Sequence, residues 1–275
     1  MNQLSPPQAS SEAVAAQEWY HTLELEPGVL TPGWFDTRPV VRKLPFPQSL
    51  RGKRCLDIGT FDGFWAFEME RRGAAQVLAI DVNDPQRWDW PPLSPPEVVE
   101  RLQDRKRGGA GFQLAHQMLG SQAEYRELSV YDLDPEVLGE FDFIYLGSLL
   151  LHLRDPVAAL DRVRRVCDGE LLIVENYSPS LSWIAPVTPL ARLDGQGRPW
   201  WWEANARCVR QLLESAGFEP VGRPTRFRMP AGRGQNRPRL RPSTLTSREQ
   251  RRNLRNAMIG DPHLAMLAVP RGSTR

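Results

Sequence analysis

Leu56-Asp57-Ile58-Gly59-Thr60-Phe61-Asp62-Gly63 decides how this chain folds. It is fed by a short apolar run, Arg54-Cys-Leu-Asp-Ile58, that reads as a strand. It opens a helical pattern over about 62–72 that carries Trp65, Phe67 and Met69. That helix closes on Arg71-Arg72 and then Gly73, the charge bias and left-handed cap expected at a helix C-terminus. A strand running into a glycine loop and then a helix is the setting in which α/β proteins cradle nucleotide-like ligands.

Outward from the loop the same alternation repeats. Gln76-Val-Leu-Ala-Ile80 is a second strand, closed by Asp81, and further strands are expected near 126–130, 141–146, 171–174, 218–222 and 264–269. Between them lie helical patterns near 96–106 and 111–120, one opened by Asp155-Pro156, and one capped by Asn205 and stopped by Gly217. Ser247-Arg-Glu-Gln250 has the spacing of a capping box at the start of a basic helix. The fold class read from this pattern is α/β: a Rossmann-like, doubly wound, mainly parallel seven-stranded sheet with helices on both faces and an N-terminal lid. Residues 1–48 form the tail and lid, with the first dozen residues mobile. Residues 49–275 form the domain, with a Trp/Pro-rich insertion at 85–120 and an Arg-rich loop and helix at 223–260 before the last strand.

Two ligand classes use such a loop. A dinucleotide needs glycine at the first, third and sixth loop positions, so that backbone can approach a pyrophosphate. Here those later positions hold Phe61 and Phe64, and Asp57 would set a carboxylate against a doubly anionic group. S-adenosylmethionine has no phosphate and carries a cationic sulfonium, so an acid at the strand tip favours it. Asp81, eighteen residues after Gly63, is placed to accept hydrogen bonds from ribose hydroxyls. The cofactor set read here is Asp57, Gly59, Thr60, Phe61 and Gly63, with Asp81 and Val82 after the second strand.

Over residues of about 50–220 the chain resembles class I S-adenosylmethionine-dependent methyltransferases. Asp57-x-Gly59-x-x-x-Gly63 is similar to their first motif, Asp81 to the acid of their second, and Phe141-Asp142 through Asp155-Pro156 to the stretch after their fourth strand. The resemblance implies that Ser129, Val130 and Tyr131 lie beside the adenine and that Leu146 and Gly147 meet the cofactor from the fourth strand. A looser resemblance joins Trp19-Tyr20-His21 and Trp34-Phe35-Asp36 to relatives of the carboxymethyltransferases of the tRNA wobble uridine. The chain departs from the usual glycine-rich loop at Phe61.

Methyl transfer from a sulfonium is an in-line displacement, in which the protein aligns the acceptor and in some cases removes a proton. His152 and Glu175 are the catalytic candidates, each just past a strand at the sheet edge where such folds bind ligands. His21, Tyr177, Trp201 and Trp202 are the candidate acceptor contacts, the tryptophans because consecutive indoles cannot all face one core. His116 and His263 read as ordinary structural or surface residues. The expected reaction is methylation of an oxygen or nitrogen of a small molecule. A tRNA-modifying methyl- or carboxymethyltransferase is the alternative, and an NAD(P)-dependent oxidoreductase a third reading that Phe61 and Asp57 disfavour.

Bulk properties bound these readings. The net charge of +2 hides a stretch, Arg223–Arg255, with eleven arginines against the single acid Glu249. Such a run could follow a phosphate backbone. With 32 arginines and only three lysines in the whole chain, a solvated face is the simpler account. The three cysteines, Cys55, Cys167 and Cys208, lack metal-ligand spacing, and no metal site is expected. No stretch reaches the 18 or so apolar residues of a membrane span, and no secretory signal opens the chain, so a cytoplasmic protein without a membrane partner is expected.

Overall fold

A computed structural model of the chain describes residues 6–194, 199–235 and 248–272. The seven sheet strands are β1 (Arg54–Ile58), β2 (Gln76–Asp81), β3 (Glu124–Glu127), β4 (Phe141–Gly147), β5 (Cys167–Asn176), β6 (Phe218–Met229) and β7 (Asp261–Pro270). They lie in the order β6-β7-β5-β4-β1-β2-β3. Strands β1 to β5 pair in parallel, whereas β7 is inserted antiparallel between β5 and β6. The strand order therefore reverses between β1 and β4, and the carboxyl ends of those two strands flank the crevice in which open α/β sheets bind ligands.

Alternation along the strands sorts the core into two halves. Leu56, Ile58, Ile144 and Leu146 face one side, with α4 (Pro156–Arg165) and α5 (Ala206–Ser215). Cys55, Phe143 and Tyr145 face the other, with α1 (Phe64–Arg71), α3 (Ala110–Leu119) and the N-terminal segment. A parallel sheet covered on both faces requires apolar side chains on both, which is why these strands read as continuous apolar runs. The expected caps are present. The Asp155 carboxylate accepts from Ala158 N–H at 2.9 Å, and Asn205 Oδ1 accepts from Cys208 N–H at 2.7 Å.

The structure departs from expectation at the chain's start and at the far edge of the sheet. Pro6–Ala15 is a helix where a mobile tail was expected, and its Val14 carbonyl accepts from the buried Trp19 indole at 2.8 Å. Alanines and the opening prolines suit a helix, and docking of Val14 and Trp19 in the core holds it. Strands β6 and β7 exceed the expected spans because their antiparallel pairing continues past the apolar runs that mark them in sequence, whereas β5 begins early, at Cys167, by pairing in parallel with β4 at Phe141 and Phe143. The helix Arg248–Ile259 forms, while Ser247 and the loop 236–247 lie outside the described residues. No helix of the described residues is long and apolar enough to cross a membrane.

Candidate active site

The loop after β1 is folded back on the end of β2: Gly59 and Thr60 N–H both donate to Ile80 O, at 2.9 and 3.1 Å. Its path needs three left-handed residues, Gly59 (φ 74°), Phe61 (φ 53°) and Gly63 (φ 88°). At Gly63 a Cβ would stand 2.5 Å from the Phe67 ring, so the glycine is what lets α1 pack against the loop, as expected. A phenylalanine in this conformation costs about 1–2 kcal/mol. Phe61 is held there by its own N–H, which donates to Asp81 Oδ2 at 2.8 Å, a charged hydrogen bond of about 1.5–3 kcal/mol that offsets the strain.

Asp57 does not face the crevice as the sequence suggested. It is 1% exposed, and its Oδ2 accepts from Thr60 Oγ1 at 2.6 Å and from Ala66 N–H at 3.1 Å. Burial pushes its pKa up to about 7 against the opposing Thr60 hydrogen bond. Its work is to tie the strand, the loop and the helix together. The same is true of Thr60, whose hydroxyl is the other end of that tie.

The acid that borders the crevice is Asp81, half-buried at the end of β2. Its Oδ1 accepts from Val82 N–H at 2.7 Å and from the ammonium of Lys106. Lys106 ends α2 (Pro96–Lys106) and is 4% exposed, its Nζ 5.4 Å from the Phe61 ring centroid and 5.1 Å from that of Trp88. Desolvation lowers its pKa, and Asp81 opposes that shift. The Trp88 indole donates to Val82 O at 2.8 Å, so the insertion folds onto the end of β2. Sequence reasoning missed Lys106. The available signal was one lysine among three in a chain where arginine is the rule.

On the other side of the loop lies the N-terminal cover. Asp62, fully buried, takes Tyr20 N–H at 2.9 Å and His21 N–H at 2.7 Å on Oδ2, and His21 Nδ1–H at 2.5 Å on Oδ1. The His21 ring stacks on Phe64 at 5.2 Å. His21, expected as an acceptor contact, is thus bound to the loop and anchors the cover. Tyr20 is set among the rings of Trp34, Phe35 and Phe61, with centroids 5.6, 5.2 and 5.3 Å away. The Tyr20 ring thus packs on Phe61, at the loop position where a dinucleotide fold carries its second glycine.

Beyond Gly147 the chain makes a second left-handed step at Ser148 (φ 50°). Leu149, next to it, is the nearest group that a Cβ on Gly59 would meet, at 3.7 Å, which places the end of β4 against the glycine loop. Glu175 is 2% exposed and its Oε1 accepts from Leu149 N–H at 2.9 Å and Leu150 N–H at 3.0 Å. Burial raises its pKa to about 8, with those two hydrogen bonds opposing. Glu175 therefore shapes the turn that carries Ser148.

The remaining expectations disperse. His152 donates from Nδ1 to Pro199 O at 2.5 Å, and burial lowers its pKa, so its proton supports the tryptophan segment. Trp201 and Trp202 donate their indole N–H groups to Asp89 O at 2.6 Å and Leu153 O at 3.0 Å. Trp202 also lines an apolar cavity of about 250 Å³ with Leu151, Val157, Glu175 and Leu212. Tyr177 belongs to the buried apolar cluster on the α4/α5 side. Ser129 caps the turn Val130–Asp132, and Tyr131 Oη donates to Asp89 at 2.7 Å.

These residues fit an adenosyl sulfonium. A half-buried carboxylate ends β2, apolar Val82 follows it, and Gly59 stands against Leu149 just past the end of β4. Residues 37–222 match the family model described as "Methyltransferase domain". The ubiquinone biosynthesis O-methyltransferase of Acinetobacter baumannii (strain AYE) is 30% identical over 154 residues, 54% of this chain and 52% of that protein. That of Pseudomonas aeruginosa (strain LESB58) is 26% identical over 162 residues, 58% and 56% respectively. The chain thus spans about half the length of these curated relatives. Among solved structures, the N-terminal domain of EvdMO1 with SAH bound aligns over 98% of both chains, with a TM-score of 0.56 and 15% identity, which speaks to fold.

Proposed function

The chain belongs to the methyltransferase-domain family, and from that premise we propose that it transfers the methyl group of S-adenosylmethionine to an oxygen or nitrogen of a small-molecule acceptor. The observation that carries the reading is the joint work of Asp81. One carboxylate holds the Phe61 and Val82 backbones and the Lys106 ammonium, at the carboxyl end of β2 where a ribose would lie. Gly59, Phe61, Asp81, Val82, Ser129, Val130, Leu146 and Gly147 would hold the cofactor, which supplies an electrophilic methyl carbon when bound. The residues around it exclude water: the rings of Tyr20, Trp34, Phe35 and Phe61 cover the loop, and Leu149 closes the side toward β5. The free, largely buried thiols Cys55 and Cys167 accord with a cytoplasmic setting.

Calorimetric titration with S-adenosylmethionine, S-adenosylhomocysteine, NADH and NADPH tests the proposal. Binding of the first two with micromolar affinity, and of neither nicotinamide, is the expected result. Occupancy by a dinucleotide, or no binding of S-adenosylhomocysteine, would dismiss it.

A further inference from the structure

At the carboxyl ends of β4 and β5, on the α4/α5 side of the sheet, lies the cavity of about 250 Å³. Leu150 and Leu151 of the turn after β4, Val157 of α4 and Leu212 of α5 wall it. A two-stranded hairpin, Ala191–Leu193 against Trp202–Ala204, completes the wall through Ala191 and Trp202. Asn205 fixes the segment that leads into the hairpin. Its Nδ2 donates to Ala185 O and Thr188 O, both at 2.9 Å, and its Oδ1 accepts from Leu190 N–H at 3.1 Å. Val157 is 39% exposed, which sets the mouth at the first turn of α4. Protein interiors keep few voids larger than a water molecule, because unfilled apolar space costs stability. This one is framed by fixed groups.

An acid enters this apolar lining. Glu175 accepts both of its hydrogen bonds on Oε1, from Leu149 and Leu150 N–H, and among the described residues Oε2 receives none. Burial raises the pKa to about 8, so the carboxyl is protonated at neutral pH and keeps an O–H to donate. A buried donor without a partner costs the fold stability, and an oxygen of a ligand in the cavity would satisfy it. The same turn sets the cavity beside the chemistry. Leu149 faces Gly59 of the loop, and Leu150, next in the chain, lines the cavity.

Resting on the methyltransferase reading, we propose that this cavity is the acceptor subsite, that it takes a neutral acceptor built on one ring with a short hydrocarbon group, and that Glu175 donates a hydrogen bond to an oxygen of that acceptor. A dry cavity of about 150 Å³ holds a benzene, so this one has room for a ring and roughly four further carbons. The oxygen anchored by Glu175 stands at the end of the cavity nearest the turn, and so nearest the glycine loop. An anionic acceptor is excluded by the same lining, which offers an apolar wall and an acid but no cation.

The test titrates the full chain, saturated with S-adenosylhomocysteine, with phenol, 4-ethylphenol, 4-butylphenol and 4-octylphenol. Affinity should rise about fourfold per methylene, and stop rising at roughly four carbons, where the cavity is full. Affinity that climbs without limit is bulk partitioning and overturns the subsite. Val157→Trp, a change at the partly exposed mouth, should cut 4-butylphenol affinity at least about tenfold while S-adenosylhomocysteine affinity and thermal unfolding hold. Val137→Trp, on the exposed face of the short helix Pro135–Leu138, should change none of the three. Binding indifferent to Val157→Trp overturns the subsite. Butylbenzene, which lacks the oxygen, should bind about tenfold more weakly than 4-butylphenol. Glu175→Gln, whose amide still accepts from the turn and donates to a ligand, should keep that preference, and Glu175→Met should lose it. Equal binding of the two ligands by the wild type overturns the part given to Glu175. Transfer of label from radiolabelled S-adenosylmethionine should follow the same order of chain lengths, and transfer to none of the bound phenols overturns the acceptor assignment. Failure of the wild type to bind S-adenosylhomocysteine would instead sink the methyltransferase reading, with the cavity still judged by the phenol titrations.

Discussion

His21 and Asp62 are joined through both side chain and backbone: the imidazole Nδ1–H donates to Oδ1 at 2.5 Å while the backbone N–H of the same histidine donates to Oδ2 at 2.7 Å. With Tyr20 N–H added, one buried carboxylate of the glycine loop receives three donors from the N-terminal cover. Asp62→Ala leaves two buried N–H groups and a histidine without their acceptor, and should cost about 3–5 kcal/mol. Denaturant unfolding measures that loss, and hydrogen exchange should show the amides of residues 19–35 losing protection ahead of the sheet. Protection of that segment unchanged in Asp62→Ala would contradict the clamp.

Asp81 and Lys106 should separate binding from stability. On the proposed reading Asp81→Ala removes the acceptor for the ribose hydroxyls, and the affinity for S-adenosylhomocysteine should then fall about 100-fold by calorimetry, the worth of hydrogen bonds to a charged group. It also strands the buried Lys106 ammonium, so the melting temperature should fall in the same variant. Lys106→Met with Asp81→Asn should recover much of the stability and little of the affinity. Recovery of both together would mean that Asp81 serves the fold alone.

Glu175 predicts a slope of stability with pH. Its folded pKa, raised by burial from 4.5 to about 8, means the native state holds a proton that the unfolded chain has released. Its contribution is complete below pH 4.5, declines as pH rises toward about 8 and is flat beyond, a span of several kcal/mol on linkage arithmetic. His263 acts with the opposite sign. Its pKa is lowered from 6.5 to about 4, so its contribution is present above pH 6.5 and is lost as pH falls through 4. Glu175→Gln should flatten the alkaline limb of a stability profile and leave the acid limb, whereas His263→Gln should do the reverse.

The two loop glycines should fail differently. Gly63→Ala combines a left-handed backbone with a methyl pressed into the Phe67 ring, and about 2–4 kcal/mol should be lost in thermal unfolding. Gly59→Ala keeps the backbone penalty, but its methyl meets only the Leu149 side chain at 3.7 Å. Stability should fall by about 1–2 kcal/mol, while the cofactor loses its approach to the loop. A titration in which Gly59→Ala binds S-adenosylhomocysteine as the wild type does would show that the cofactor does not pass over this residue.

The scaffold was legible because it rests on local signals. The strand ends Asp57 and Asp81, the caps Asp155 and Asn205, and the stop glycines are each written within a few residues of the elements they govern. The site was legible only in part, because its pairings are long-range. Asp62 stood in plain view inside the loop, but its partners lie 41 and 42 positions away. His263 reads as an ordinary strand residue until Ser148, 115 positions earlier, is brought beside it. His152 and His21 were visible as histidines, yet a carbonyl and a carboxylate claim their protons, and no spacing announces that. Asp57 shows the same limit in reverse: its motif is plain, but its burial, and so its pKa near 7, follows only from the folded loop.

The cover above the glycine loop cannot behave as a flap. Swinging it aside would break three hydrogen bonds into Asp62 at once and leave that carboxylate in an apolar setting beside Phe64. The opposite bank is held by less: one indole hydrogen bond from Trp88 to Val82 O and one ion pair from Lys106 to Asp81 fasten the insertion to the end of β2, so it should loosen before the cover does.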